Sequence, residues 1–385
     1  MRVVILHQHF KTPQSGGAIR SYYLARALAD RGIATVVITA HNGPKKTDDV
    51  EGIEVHYLPV AYDNRFGFWK RLVSFWRFLR LGTREAKAVH GVDYYYAIST
   101  PLTVGLMARW LKRKTGVPYF FEVGDLWPEA PIQLGYIRSA WLKRWLYHLE
   151  RSIYREARAV VALSVDIETY IRKVSPGTVT HVIPNMADCE YYTPSTQKSR
   201  APENLAVAYL GALGVANGLD FLLDCAHESL KAKAAIRFIV GGDGAMRDHL
   251  VNRINNEKLT NVNLLPFQNR EGVRQTLAGA DAVFICYQNK PVLQTGSPNK
   301  YFDGLAAGKL IVVNVNGWMR EEIEQAHCGI FVDRARPAAL VEKLTSLSAA
   351  EVQQMKSNAR SLAKRSYDRL ALAEKFAGLF RPEMK

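Results

Sequence analysis

The sequence predicts an α/β chain of two Rossmann-like, doubly wound parallel-sheet domains, and three observations lead there. Short apolar, strand-like runs alternate with helix-period segments along most of the chain, as βαβ units require. The alternation pauses at 182–204, where Pro184, Pro194 and Pro202 punctuate a polar stretch, and restarts at 205. At 385 residues the chain also suits two domains of about 150–200 residues better than one core. We expect a first domain over 1–183, a linker over 184–204, a second domain over 205–366, and a closing helical segment over 367–385 that packs back on the first domain.

Composition narrows the class. A hydrophobic content of 48% with 23% charged residues belongs to a folded protein. No apolar run reaches the ~18 residues of a transmembrane helix, and MRVVILHQHF has too short an apolar core for a signal peptide. Cys189, Cys225, Cys286 and Cys328 lie far apart without metal spacing, and read as reduced thiols of a cytoplasmic protein. The net charge of +15 suits nucleic acid, an anionic membrane surface or phosphorylated substrates, and the excess is concentrated in the N-terminal half.

In chain order, VVIL at 3–6 is a strand, Gly16-Gly17 a turn above it, 18–32 a helix stopped by Gly32, and IATVVITA at 33–40 the next strand. Paired glycines there let backbone approach a ligand, although a plain tight turn uses them equally. After a strand at 53–60, residues 65–89 alternate Trp69, Phe75 and Trp76 with Arg71, Arg77 and further cations, with no acid before Glu85. That pattern fits a helix in a membrane interface; a core helix with a solvated basic face is the alternative, and no nucleic-acid module surrounds it. Strands at 92–99 and 119–123 flank a helix over 102–114. The second strand empties into a loop carrying Gly124, Asp125, Trp127 and Glu129, where open α/β sheets place ligands. Asp125 and Glu129 are candidates for substrate hydroxyls, or equally a capping Asp and a surface Glu. A basic, aromatic helix over 140–157 and a strand over 157–164 follow.

The second half repeats the scheme. A strand at 205–213 runs into Gly211, Gly214 and Gly218; IRFIV runs into Gly241-Gly242-Asp243-Gly244; further strands are expected near 262–267, 281–288, 310–313 and 329–332, with two helices closing the chain. The organising stretch is TGSPNKYFDGLAAGKLIVV at 295–313. Ser297 and Pro298 make a helix start, Lys300 adds positive charge in the first turn, and Asp303 shares a face with Asn299 and Lys300. An anion site with a carboxylate one turn away suits a nucleotide diphosphate and its ribose; an ordinary αβ unit with solvated Lys and Asp reads the same way.

These residues together resemble a retaining glycosyltransferase of family 4 with the GT-B fold, in the bacterial surface-polysaccharide branch of fucosamine and N-acetylhexosamine transferases. HQHF with the later GG and AIRSYYLARAL, GDLWP at 124–128, VIPN at 182–185, GALGVANGL at 211–219, GDG at 242–244 and SPNKYFDGLAAGK at 297–309 carry it over nearly the whole chain. The resemblance implies a nucleotide-sugar, UDP-linked, in the cleft between the domains, and a polyprenyl-diphosphate-linked glycan as acceptor for O-antigen, capsule, exopolysaccharide or lipopolysaccharide assembly. It implies an enzyme peripheral to the inner face of the plasma membrane, without nucleic-acid partners. Gly16, Gly17 and Gly211 to Gly218, including Gly214 and Asn217, would border the donor with Gly242, Ser297, Pro298 and Asn299. Phe267 and Gln268 would hold the base through main-chain groups, and Asp303 would accept from the ribose. Trp127 and Glu129 would meet the acceptor. The first glutamate of the family's Glu-x7-Glu motif falls at Thr295, and the Arg and Lys usual after the 205–213 strand are missing. Lys300 then carries the diphosphate charge, with Arg20 assisting, and Asp125 positions or deprotonates the acceptor. No metal-ligand cluster is expected and no cofactor. Two other classes remain open: a GT-B-type nucleotide-sugar 2-epimerase, and a non-catalytic basic nucleic-acid-binding protein.

Overall fold

The computed structural model describes residues 1–15, 17, 19–63, 66–194 and 204–380, which fold around two separate sheets. The first unit takes Met1–Pro184 with Thr295–Ser297 and the chain from Leu370 on; the second takes Asn185–Gln294 and Pro298–Arg369.

The first unit runs β1 (Arg2–Leu6), α1 (Arg20–Ala29), β2 (Ala34–His41), β3 (Lys46–Val50), β4 (Ile53–Pro59), α2 (Phe68–Ala88), β5 (Tyr94–Ile98), α3 (Thr103–Thr115), β6 (Tyr119–Val123), α4 (Glu129–Gln133), α5 (Ala140–Glu156), β7 (Ala159–Ala162), α6 (Val165–Val174) and β8 (Thr180–Val182). Its strand order is β3-β4-β2-β1-β5-β6-β7-β8, parallel except for the antiparallel β3–β4 pair. β1, β6 and β7 are covered on both faces, which is why they read as continuous apolar runs rather than alternating ones. Winding leaves β1 toward β2 on one side and proceeds from β5 to β8 on the other, so a topological switch point lies between β1 and β5.

The second unit runs β9 (Ala206–Leu210), a 3-10 turn (Val215–Asn217), α7 (Asp220–Lys231), β10 (Arg237–Gly241), α8 (Arg247–Asn256), β11 (Val262–Leu265), α9 (Arg270–Ala278), β12 (Ala282–Ile285), α10 (Pro291–Gln294), α11 (Asn299–Ala306), β13 (Leu310–Val313), α12 (Trp318–Gln325), β14 (Gly329–Phe331), α13 (Ala338–Ser346) and α14 (Ala349–Ser366); α15 (Arg369–Gly378) follows, and all of it but Arg369 belongs to the first unit. The all-parallel order β11-β10-β9-β12-β13-β14 puts a second switch point between β9 and β12. The loops leaving β9 and β10 pass so closely that a Cβ on Gly242 would lie 1.9 Å from the Gly211 carbonyl oxygen. Gly242 also has φ +152°, so glycine is required there on both counts.

Three helices, not two, close the chain. α14 opens with a full capping box, in which the Ser348 hydroxyl accepts from the Glu351 N–H and the Glu351 carboxylate accepts from the Ser348 N–H. From Leu370 the chain belongs to the first unit, where Phe376 stands edge-on to Tyr96 at 4.8 Å and Phe380 lies 4.9 Å from Phe120. Residues 185–194, read as linker from sequence, pack in the second unit: the Ala187 N–H donates to the Tyr367 carbonyl and the Arg369 N–H to that of Ala187.

Candidate active site

The second unit gathers its polar groups at the switch point between β9 and β12. Tyr209 near the end of β9 donates its hydroxyl to the Ala212 carbonyl at 2.7 Å, and Asn217 Nδ2 donates to the same carbonyl at 2.9 Å. These two bonds pin the loop 211–217 and leave Asn217 Oδ1 to accept from Lys300 Nζ at 3.4 Å. Lys300, in the first turn of α11, holds its ammonium 4.0 Å from the Tyr209 ring centre and 5.4 Å from that of Tyr287, on the loop after β12. A side chain at Gly211 would come within 3.2 Å of Lys300 Cε, so the glycine makes room for the lysine. Among the described residues no carboxylate pairs with this cation. Desolvation between the two rings lowers the ammonium to about 7, the state of a cation awaiting an anion.

The start of α11 differs in detail from expectation. Pro298, not Ser297, is the residue that precedes the first helical position, Asn299, and no side chain caps this N-terminus. Ser297 is buried. An uncapped helix start beside a lysine is the physical requirement for holding phosphate oxygens. Asp303, one turn on, is half-buried and its carboxylate accepts no hydrogen bond among the described residues. Desolvation, opposed by Arg270 and reinforced by Asp188, raises it to about 7. Arg270 is itself held by an ion pair to Asp188 and lies 3.7 Å over the Tyr191 ring. The 3-10 turn begins just after Gly214, and the loop after β11 presents Phe267 with 60% of its surface exposed beside Gln268, whose Nε2 donates to the Pro266 carbonyl. The structure thus brings Gly211, Gly214, Asn217, Gly242, Phe267, Gln268, Pro298, Asn299, Lys300 and Asp303 to the strand-end loops and helix start of one unit. Tyr209, Tyr287 and Arg270 were missed from sequence, since nothing local marks a tyrosine as the wall of a lysine site.

The first unit also groups polar residues on the loops that leave β1, β5 and β6. Asp125 Oδ2 accepts from Thr100 Oγ1 at 3.4 Å, and the Gly124 N–H donates to Ser99 Oγ at 3.1 Å. The Asp125 carboxyl touches solvent, yet the surrounding protein still displaces enough water to raise it above its usual range. Trp127 stands edge-on to Phe75 at 6.4 Å. Glu129 opens α4, but its carboxylate is engaged by Gln133 Nε2 and the Tyr147 hydroxyl, which makes it scaffold to the loop. His7 and His9, quoted only for their motif, line the end of β1. Desolvation lowers His7 to about 3 and His9 to about 4, so both are neutral; His7 Nδ1 is 2.8 Å from Ser21 Oγ and His9 lies 4.4 Å from the Tyr62 ring.

Two assignments are revised by their surroundings. Arg20 is buried, and four of its five N–H donors are taken: two by the Glu122 carboxylate and two by the Ile183 and Pro184 carbonyls. It is an internal tie of the first unit with no spare charge for a donor. Phe75, expected in a membrane face, is 5% exposed and packs inward against Tyr62 and Trp127. On the same helix Trp69 and Trp76 are 77% and 59% exposed and Arg77 is exposed, while Arg71 turns its Nε to the Phe66 carbonyl. Gly17 takes a positive φ of 85°; Gly16 lies outside the described residues.

Residues 15–186 match the Glycosyl transferase 4-like domain and residues 194–365 the Glycosyl transferases group 1 domain. No curated protein matches the chain by sequence. Among solved structures, a sucrose-phosphate synthase from Thermosynechococcus elongatus is 15% identical with a TM-score of 0.81, over 99% of this chain and 98% of its own. HepE from Anabaena, in complex with UDP and glucose, is 18% identical with a TM-score of 0.69, over 98% of each chain. A glycosyltransferase from Rickettsia africae is 14% identical with a TM-score of 0.66, over 98% of this chain and 97% of its own. At such identities these likenesses establish the fold. The chain carries both Rossmann-like domains of a GT-B glycosyltransferase, a glycosyl transferase 4-like domain followed by a group 1 domain.

Proposed function

We propose that the protein is a retaining, metal-independent glycosyltransferase of family 4 that moves a sugar from a UDP-sugar to a polyprenyl-diphosphate-linked glycan, as in bacterial O-antigen, capsule or exopolysaccharide assembly. One observation carries the donor half: on the uncapped first turns of α11, at the switch point of a parallel sheet, stand a lysine that no carboxylate pairs and a carboxylate that accepts no hydrogen bond among the described residues. Lys300 and the α11 amides hold the diphosphate, and Asp303 accepts from the ribose hydroxyls. Phe267 and Gln268 receive the base. The UDP and UDP-glucose bound by HepE support a uridine donor. The branch resemblance favours an N-acetylated hexosamine or deoxyhexosamine as the sugar.

In the proposed reaction the acceptor hydroxyl attacks the anomeric carbon from the face the leaving group departs. The C1–O bond to the β-phosphate breaks with its electron pair going to the phosphate oxygen, and the acceptor proton passes to that oxygen. Lys300 stabilises the charge that develops there. Asp125 and Trp127 position the acceptor, and Trp69, Trp76 and Arg77 hold the first unit at the inner face of the plasma membrane. Lys300→Ala should lower turnover by about a hundredfold, as loss of one charge-stabilising group does, with unfolding midpoint unchanged. Equal turnover in the variant would remove Lys300 from the mechanism. Product formation without acceptor would instead favour a 2-epimerase.

A further inference from the structure

Lys300 stands inside a frame that hydrogen bonds close. On one side the Tyr209 hydroxyl and Asn217 Nδ2 both donate to the Ala212 carbonyl, which fixes the loop after β9. That loop is joined to the one after β12 by the Gln288 N–H, which donates to the Ala216 carbonyl at 2.9 Å, and by the Cys286 thiol, which donates to the Gly218 carbonyl at 3.4 Å. Two side chains from outside the frame hold its far wall. Asn314, buried just past the end of β13, accepts from the Tyr287 N–H at 2.9 Å and donates from Nδ2 to the Tyr287 carbonyl at 3.1 Å. Its amide takes the place of a strand neighbour for Tyr287, where the β12–β13 ladder has ended. Arg334, after β14, donates from one nitrogen to the Tyr287 carbonyl at 2.7 Å and to the Gly218 carbonyl at 3.4 Å. The bridge is tight enough to require glycine: a Cβ on Gly218 would lie 2.9 Å from that Arg334 nitrogen and 3.0 Å from the Gln288 nitrogen.

Both main-chain groups of Tyr287 are therefore held, while its half-buried ring faces the Lys300 ammonium together with that of Tyr209. An ammonium kept from water before a ligand arrives binds an anion more strongly than a hydrated one, because less solvent is displaced on binding. We propose that Asn314 and Arg334 are positioning residues for Lys300: by fixing the Tyr287 main chain they hold its ring against the ammonium and keep the lysine dehydrated for a phosphate. That the occupant is a phosphate rests on the donor reading above; that the clamp sets the state of Lys300 does not. A scaffold role alone would change stability and leave the lysine as it is. Of the titratable groups near Lys300, burial raises the Tyr209 phenol far above its usual range and pushes the Cys286 thiol up to about 12, so both are uncharged at neutral pH. The others are the Tyr287 phenol, the Arg334 guanidinium and, one turn along α11, Asp303.

The test is the reactivity of the Lys300 amine in the full chain without nucleotide. Trace acetylation with acetic anhydride is followed from about pH 5.5 to 9.5 by mass spectrometry of the Lys300 peptide. Only the neutral amine reacts, so the labelling midpoint reads the state of the lysine, and it is expected at about 7 in the unaltered protein. Asp303 titrates near the same pH, so the profile is repeated in Asp303→Asn. Two variants loosen the clamp: Asn314→Ser is too short to bond both Tyr287 groups, and Arg334→Lys keeps the charge without the guanidinium. In each the midpoint should rise by about one unit, which lowers labelling at pH 7 about fivefold. Tyr287→Ala, at a half-buried position, removes the ring itself and should shift the midpoint the same way. An unmoved midpoint in Tyr287→Ala would overturn the proposal. So would unmoved labelling in both clamp variants alongside a lowered urea-unfolding midpoint, which would leave Asn314 and Arg334 as scaffold. The expected shifts in a protein that binds no UDP would support the clamp while removing the donor reading.

Discussion

Lys300 and Asp303 show how burial prepares a residue for a ligand. Each is displaced by desolvation to about 7, from opposite directions. A bound diphosphate raises Lys300, so binding takes up a proton, and affinity is level below pH 7 and falls above it. Ribose hydroxyls donating to Asp303 lower its pKa, so binding releases a proton, and affinity falls below pH 7. UDP affinity should therefore peak near pH 7, Lys300→Met removing the alkaline limb and Asp303→Asn the acid limb. Dissociation constants from about pH 5.5 to 9 check this, and a flat profile in the unaltered protein would contradict it. Arg20 is the opposite case, a charge satisfied inside the protein. Arg20→Ala should cost about 3–5 kcal/mol in urea unfolding, because it leaves Glu122 and the Tyr96 hydroxyl buried around a missing cation. UDP affinity of the folded fraction should be unchanged.

At the scale of elements, what was legible follows burial. Strands covered on both faces announce themselves as apolar runs, and the glycine-ended loops after β9 and β10 mark the strand ends. The misses are at edges. β3 is KTDDV, a polar strand held by antiparallel pairing with β4 that no periodicity betrays. β8 is three residues long. α6 has a readable start, Ser164 capping the Ile167 N–H with Asp166 and Glu168 in the first turn, but only Ile167 and Ile171 are buried on it, too short an apolar stripe to announce a helix. α5 hides a titratable group that amphipathicity cannot show. Glu150 is buried and raised to about 7, with Tyr154 and Tyr170 donating to it. A carboxyl whose folded value lies above its unfolded one gives stability that is present below about pH 4.5 and lost as pH rises through 7. Moving from about pH 5 to 8 should cost the first unit about 1–3 kcal/mol at this residue. Hydrogen exchange of the α5 amides should show that loss, and Glu150→Gln should flatten it; the same slope in the variant would assign the pH dependence elsewhere.

For the whole molecule, order along the chain gave two parallel sheets and therefore two switch points, and both candidate sites lie at those points. Long-range placement is what the sequence withheld. Lys300 stands between Tyr209 and Tyr287, 91 and 13 positions away, and only the parallel alignment of β9 with β12 makes them neighbours. The same applies to Arg20, whose charge pointed to a ligand until its pairing with Glu122 in β6 was seen. The proposed function requires the second unit to hold a nucleoside diphosphate between Lys300 and Asp303. Isothermal titration of UDP, GDP and ADP into the protein, repeated with Asp303→Ala, tests it most directly. Micromolar binding of UDP, lost in the variant, is the expected result. No binding by any of the three, or UDP binding that Asp303→Ala leaves intact, would contradict it.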